Sequence, residues 1–488
     1  MASMAKYKRP LPAENRRGGD IRTPFRAPTH LHISNIIRLW GGGGFSFFWI
    51  VPLLIIGIFR GETGYAASLQ GPPPVAHSSV AAATFDDCVQ RALRQSPYLT
   101  KSSLELEVRR LDEWDQRVGF LPSVSVRFRY YVAKPGSASL YNPAEYTVEV
   151  YSDNYNPLAA YFNLQAQKIV TQIAIQAHLK VIGEVLQALG QGFLELETMQ
   201  RLAEIQGELV AQAQKKVNYF EQHLKLGVIA PLELQVATQE LELAKAEAER
   251  LAASQTKTVQ ALKGALGLKP EDSLSLDLKE VRRQVLGTFD PQLAKLEEAR
   301  NKSADLKIKT LTRELRSWHV TLAKIKFLPD IYLGFQTPDP LSLANVEGLF
   351  FAVGLTWNVP FLDGFRKVRN VSRQKVLLKQ ADAEVHTKEI DFEEKWLAAQ
   401  NRLKSTQAAL KIAQSQEELA RLKERQSDIR YQAGEDSYEM LVAGRQGYLN
   451  AKINTQAKTL EYDLAVLNLC HLAGDLVNRY ITESAFRR

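Results

Sequence analysis

Between Ala160 and Leu226 the chain holds no proline, and its apolar residues recur at helical spacing almost without interruption. Leu202, Ile205, Leu209, Ala213, Val217, Phe220 and Leu224 mark one seam. At ~1.5 Å per residue such a helix approaches 100 Å, far beyond the few turns usual in a globular domain. Leu226 to Pro231 breaks the pattern, with Gly227 suited to a left-handed cap and Pro231 to a first helical turn. Beyond it Leu241, Ala244, Ala248, Leu251, Gln255, Val259, Leu262 and Leu266 form a near-heptad seam. The spacing predicts a long antiparallel helical hairpin.

The same unit is written twice. Phe120-Leu121-Pro122 recurs as Phe327-Leu328-Pro329, an offset of 207 residues. Gly227 recurs as Gly434, Gly267 as Gly474, and Ser96 and Leu99 as Ser303 and Leu306, all at that offset of 207. Landmarks in fixed register over so long a span point to a tandem duplication. The expected organisation is a leader and signal peptide (1–66), a flexible lead-in (67–83), a first repeat (84–269), a linker (270–290), a second repeat (291–476) and a C-terminal tail (477–488).

Each repeat has one part that is not helical. Val124, Val126, Phe128 and Tyr130 alternate with Ser123, Ser125, Arg127 and Arg129, and Tyr146, Val148 and Val150 alternate with Thr147, Glu149 and Tyr151. Turn formers between Lys134 and Glu145 join the two runs. In the second copy Ile331, Leu333 and Phe335 alternate with Tyr332, Gly334 and Gln336. After residues 337–347 the run Leu349 to Val359 alternates again, with Asn358 on its polar side. Each repeat therefore reads helix, strand, loop, strand, long helix, turn, helix. The second copy has Ser303-Ala304 in place of Ser96-Pro97, so no proline breaks its opening helix.

The net charge of +8 points to nucleic acid until it is located. Residues 1–66 carry nine Lys/Arg and three acids, leaving only +2 on the remainder, which argues against a nucleic-acid footprint. The apolar run Phe45 to Phe59 follows that basic stretch and leads to Gly64-Tyr65-Ala66, the pattern of an export signal cleaved between Ala66 and Ala67. Pro52 and the short length speak against a membrane anchor. Cys88 and Cys470 are read as small buried residues rather than a required disulfide. The eight histidines are scattered with no His-x-x-x-His pair, and no catalytic, metal or cofactor constellation stands out, so an enzyme is not expected.

Strands of roughly eight to eleven residues match the nine to eleven that a tilted strand needs to cross a bilayer. Their apolar faces suit lipid, while Arg127, Arg129 and Glu149 suit a wet lumen. A sheet in a membrane must close, and four strands cannot; a barrel shared between chains follows. The expected fold is an α+β membrane protein, with long helical hairpins forming a tube that extends a β-barrel to which each chain gives four strands. The competing reading is a soluble periplasmic coiled-coil scaffold or adaptor whose sheet only packs on its helices.

Ala92-Leu93-Arg94-Gln95-Ser96-Pro97-Tyr98-Leu99, the repeated Phe-Leu-Pro, Gly354 to Gly364 with its Leu-Asp-Gly exit, and the glycines at the two hairpin turns together resemble the TolC-type outer-membrane efflux protein family. The resemblance covers roughly Phe85 to Gly474. It implies a homotrimer with a twelve-stranded barrel in outer-membrane lipid of a Gram-negative bacterium, the helical hairpins forming a periplasmic tunnel. It further implies a periplasmic membrane-fusion (adaptor) protein and a proton- or ATP-driven inner-membrane pump as partners, in efflux or type I secretion. The turns at Leu226, Gly227 and Val228 and at Gly434, Glu435 and Asp436 become the periplasmic tip that docks the adaptor. Family members commonly line the closed aperture with aspartates six and nine residues beyond the second glycine. Here those positions hold Met440 and Ala443, with Glu439 a neighbouring acid.

Overall fold

The computed structural model describes residues 83–121, 123–131, 145–287, 289–337, 350–357 and 364–481. The leader, the proposed cleavage site, the lead-in up to 82, both strand-joining loops, and Leu349, Asn358 and Val359 lie outside the described residues. Helices α1 (Phe85–Gln95) and α2 (Pro97–Val118) precede strands β1 (Val124–Tyr131) and β2 (Glu145–Ser152). The hairpin of α3 (Pro157–Lys225) and α4 (Pro231–Ala265) follows, then the short α5 (Val281–Leu286). The second half runs α6 (Leu296–Lys302), α7 (Ala304–Ile325), β3 (Asp330–Thr337), β4 (Phe350–Thr356), α8 (Arg366–Gln432), α9 (Tyr438–Leu472) and α10 (Asp475–Tyr480).

Local chemistry explains where the long helices start and stop. Asn156 Oδ1 accepts from the backbone N–H groups of Leu158 and Ala159, both at 3.1 Å, and Pro157 takes the first helical position. With no further proline the helix continues for 69 residues, and its counterpart α8 for 67. The second halves of the hairpins, α4 and α9, are 35 residues each and begin 207 residues apart. The Ser303 break differs from the expectation. The backbone turns at Ser303 (φ −62°, ψ 116°) almost as at Ser96 (φ −62°, ψ 127°), although alanine follows instead of proline. Proline favours that geometry without being needed for it; burial of Ala299 and Leu306 on Phe392 and Trp396 holds the bend.

The four strands form one antiparallel sheet in the order β1-β2-β3-β4, so two hairpins join through β2 and β3. Register places Val126 opposite Val150, Val150 opposite Phe335 and Phe335 opposite Phe351, while Arg127 pairs with Glu149 and Glu149 with Gln336. All the apolar alternates thus share one sheet face. Each hairpin is tied to the helix before it by an aromatic side chain. Tyr155 Oη donates to the Phe120 carbonyl at 2.5 Å, and Trp357 Nε1 donates to the Phe327 carbonyl at 3.0 Å.

The main core lies where α1, α3, α4, α5, α9 and α10 meet. Phe85, Leu186, Leu189, Phe193, Leu266, Val285 and Leu476 are all fully enclosed there, at 0% exposure. Each side chain of that size contributes about 1.5–3 kcal/mol by leaving water. Cys88 and Cys470 sit in the same core as free thiols, and burial pushes both up to about 11, so neither is reactive. The segment 270–290 carries α5, and the parallel bridge between Ala83 and Leu276 ties the end of the lead-in to it. The helix α10 runs through position 477, Tyr480 Oη donates to Asp86 Oδ1 at 2.7 Å, and Arg479 donates to the carbonyls of Val285 and Leu286, both at 3.1 Å. The two ends of the folded body are therefore clasped together.

Away from that core the helices leave apolar stripes uncovered. Leu104, Val108, Leu111 and Val118 are exposed along α2, and Ile412, Leu419, Leu422 and Ile429 are exposed at heptad spacing along α8. Within the chain α7 packs on both α3 and α8, whereas its first-half counterpart α2 packs on α3.

Candidate functional site

The hairpin turns are built alike. At the end of α3 the Val228 N–H donates to the His223 carbonyl at 2.9 Å and the Gly227 N–H to the Leu224 carbonyl at 3.0 Å. At the end of α8 the Glu435 N–H donates to Arg430 at 2.9 Å and the Gly434 N–H to Tyr431 at 3.0 Å. This double bond pattern requires a left-handed residue, and Gly227 (φ +71°) and Gly434 (φ +76°) supply it. Space is not the constraint, because a Cβ at either position would meet nothing within 4 Å.

The flanks of the two turns differ. Leu226 and Val228 stand 74% and 67% exposed, and Leu232, Val236 and Leu243 continue an exposed apolar face along α4. In the second turn Glu435 is exposed, Asp436 is half-buried, and Ser437 Oγ accepts from the Met440 N–H at 3.4 Å to start α9. Glu439, Met440 and Ala443 are all exposed on the first two turns of α9. Between the hairpins lies a groove of about 420 Å3, bounded by Leu209, Gln212, Leu243, Ala244, Gln446 and Asn450. Gln212 Nε2 donates to the Val442 carbonyl at 3.1 Å across it, and Lys216 Nζ meets Glu240 Oε2 at 2.6 Å beside it.

An aromatic contact joins the two hairpins close to their turns. The rings of Tyr219 on α3 and Tyr438 on α9 stack with centroids 4.1 Å apart, and Tyr431 lies 6.2 Å from Tyr438, edge on. Sequence reading missed this pair because Tyr219 and Tyr438 do not stand at the repeat offset. The only local signal is a tyrosine close to each turn. Such stacking is worth about 0.5–1.5 kcal/mol beyond burial. Tyr438→Ala should loosen the tips while leaving the main core intact. Faster cross-linking between cysteines at 226 and 433 with a flexible reagent, at unchanged helical content, would register it.

At the strand end Val126, Val353 and Leu355 are 53%, 62% and 69% exposed on the shared apolar face. Arg127 is exposed in the alternate set, and Arg129 and Glu149 are placed there by register. Tyr332 of that set lies over Gly354: a Cβ on the glycine would come within 1.9 Å of the tyrosine ring. An aromatic ring covering a strand glycine restores the packing that the missing side chain forfeits. The tip residues and the strand residues occupy opposite ends of helices about 100 Å long, so they make two sites and not one.

Comparisons with known proteins agree with this architecture. The chain matches no protein-family model and no curated protein sequence. Among solved structures it is similar to CusC, described as forming a transmembrane channel, with 13% identity and a TM-score of 0.70 over 80% of this chain and 92% of that one. The outer-membrane channel CmeC of Campylobacter jejuni gives 16% identity and a TM-score of 0.65 over 82% and 88%. The outer-membrane protein VceC of Vibrio cholerae gives 15% and 0.66 over 80% and 96%. At these identities the likeness is one of fold, and the fold is that of TolC-type channels.

Proposed function

We propose, with the TolC-type channel fold as premise, that this chain is the outer-membrane exit duct of an efflux or type I secretion system, passive in itself. The observation that supports this best is the four-stranded sheet. Its apolar alternates share one face by register, on which Val126, Val353 and Leu355 are exposed, and β1 and β4 have no further partner among the described residues. Unpaired edges in hydrocarbon are untenable, so other copies must continue the sheet. Two chains make eight strands, which side chains fill; three make twelve, enough for an aqueous bore.

The helices support the same trimer. By analogy with α7, seated between α3 and α8, the exposed stripe on α2 fits the α8 of a neighbouring copy. The six turns of a trimer then ring the periplasmic mouth, alternating the apolar Leu226–Val228 flank with the acidic Glu435–Asp436 flank. An adaptor with helical hairpins would use the groove beside Gln212 and Leu243, and the energy for transport would come from an inner-membrane pump. Met440, Ala443 and Glu439 are the candidates for the aperture lining. The signal segment and the tandem duplication belong to the same proposal.

Fractionation tests the reading. The chain should float with outer membranes, resist extraction by urea, run as a trimer in mild detergent, and begin at Ala67. Release by urea as a monomer would favour the soluble scaffold instead. Gly227→Val or Gly434→Val should insert and trimerise normally, since the strain of a left-handed β-branched residue is only on the order of 1–2 kcal/mol, yet lose export. Full export by both variants would remove the tip from the docking role.

A further inference from the structure

Where α3, α8 and the end of α9 meet the first turn of α7, a cavity of about 360 Å3 opens. Lys180, Lys302, Lys307, Lys388 and Lys395 line it, against only two carboxylates, Glu184 and Asp305. Asp305 holds Lys180 at 2.9 Å and Lys388 at 3.7 Å, and Glu184 lies 4.0 Å from Lys180. Among the described residues Lys302 and Lys395 enter no ion pair. A concave wall with such an excess of ammonium groups raises the local concentration of anions.

Two further observations point the same way. Ser303 gives no side-chain hydrogen bond to the start of α7, a 22-residue helix, so its first N–H groups stay available at the cavity wall. The repeat supplies a control: the positions 207 residues before Lys302, Lys307, Lys388 and Lys395 hold Gln95, Thr100, Val181 and Ala188. The scaffold is therefore made without these cations in its first half. Asp305 pairs with Lys180 and Lys388 and its charge also reaches Lys395, yet the ammonium groups of the wall still outnumber its two carboxylates.

We propose that this cavity is a binding site for a phosphate-class oxyanion, held by Lys302, Lys395 and the N–H groups opening α7. The anion arrives as a soluble phosphate; Lys180 stands about 35 Å along α3 from the sheet. The site is independent of the channel reading, since it needs only the described helices.

The test uses the full-length protein in neutral detergent, with thermal unfolding followed in inorganic phosphate and in chloride at equal ionic strength. Phosphate should raise the unfolding temperature of the native protein. In Lys302→Gln/Lys395→Gln its half-saturating concentration should rise by roughly tenfold or more, as expected when charged hydrogen bonds are lost. Ser303→Asp supplies a capping carboxylate that keeps the fold intact and should abolish the response by occupying the same N–H groups. An equal phosphate response in native protein and both variants, or an equal effect of chloride, overturns the site.

Discussion

Leu355→Arg and Val126→Arg should each lower the yield of inserted trimer, whereas Arg127→Ser should insert and trimerise like the native chain. Register puts Leu355 and Val126 on the common apolar face and Arg127 on the other. Both apolar residues are more than half exposed, so neither change leaves a cavity in the folded monomer. The penalty arises only if that face meets lipid. A cationic side chain on a lipid-facing strand costs about 0–1 kcal/mol near the interface, rising to about 2–4 kcal/mol at the midplane. Val126 is the third residue of β1 and Leu355 the last but one of β4, both towards the helices, and a trimer repeats the charge three times. In a soluble scaffold an exposed Leu→Arg change would stay within about 0.5 kcal/mol. Heat-resistant trimer in outer-membrane fractions is the readout. Normal trimer from Leu355→Arg and Val126→Arg would mean that the apolar face is not the lipid face.

The second large effect concerns Asp463, a carboxylate on α9 that is 5% exposed. Arg282 Nη2 of α5 lies 2.9 Å from its Oδ1. Burial, aided by the nearby Glu197 charge, pushes its carboxyl from the ordinary 3.8 up to about 6, although Arg282 opposes the rise. Because the folded value lies above the unfolded one, the group favours the fold fully below pH 3.8, and that contribution is lost as pH rises through about 6. Asp463→Asn should therefore stabilise the helical body at pH 8, on the order of 2–3 kcal/mol, and change little at pH 4. Arg282→Ala should act in the opposite sense, removing about 2 kcal/mol or more at pH 8 because the buried charge loses its partner. At pH 5 the carboxyl is protonated and that loss should shrink. Urea melts of both variants across pH 4–8 give the answer. A loss of stability in Asp463→Asn that grows as pH rises from 4 to 8 would show that the ion pair outweighs the desolvation.

Whatever depends on a few neighbouring residues was legible in the chain. Helix length follows from the absence of proline after Pro157, the turn positions from Gly227, Gly434 and Pro231, and the sheet faces from strict alternation around Val126 and Leu333. The tip was legible too, because a left-handed turn at the end of a long helix leaves almost no residue but glycine. What the sequence left open was decided by contacts between distant segments. The joining of β2 to β3 pairs residues more than 180 positions apart, as Val148 with Thr337. The bend at Ser303 is imposed by packing on Phe392 and Trp396, for local preference after Ser303 favours a continuous helix. Tyr219 meets Tyr438 only because two hairpins lie side by side. Asp463 reads in sequence like any solvated acid on an amphipathic helix, and only the arrival of α3 and α5 encloses it. The lysines around Asp305 likewise come from four helices, and no spacing along one strand of text can bring them to a common wall. Periodicity and capping act within a turn or two of chain; burial is a property of everything else that folds against it.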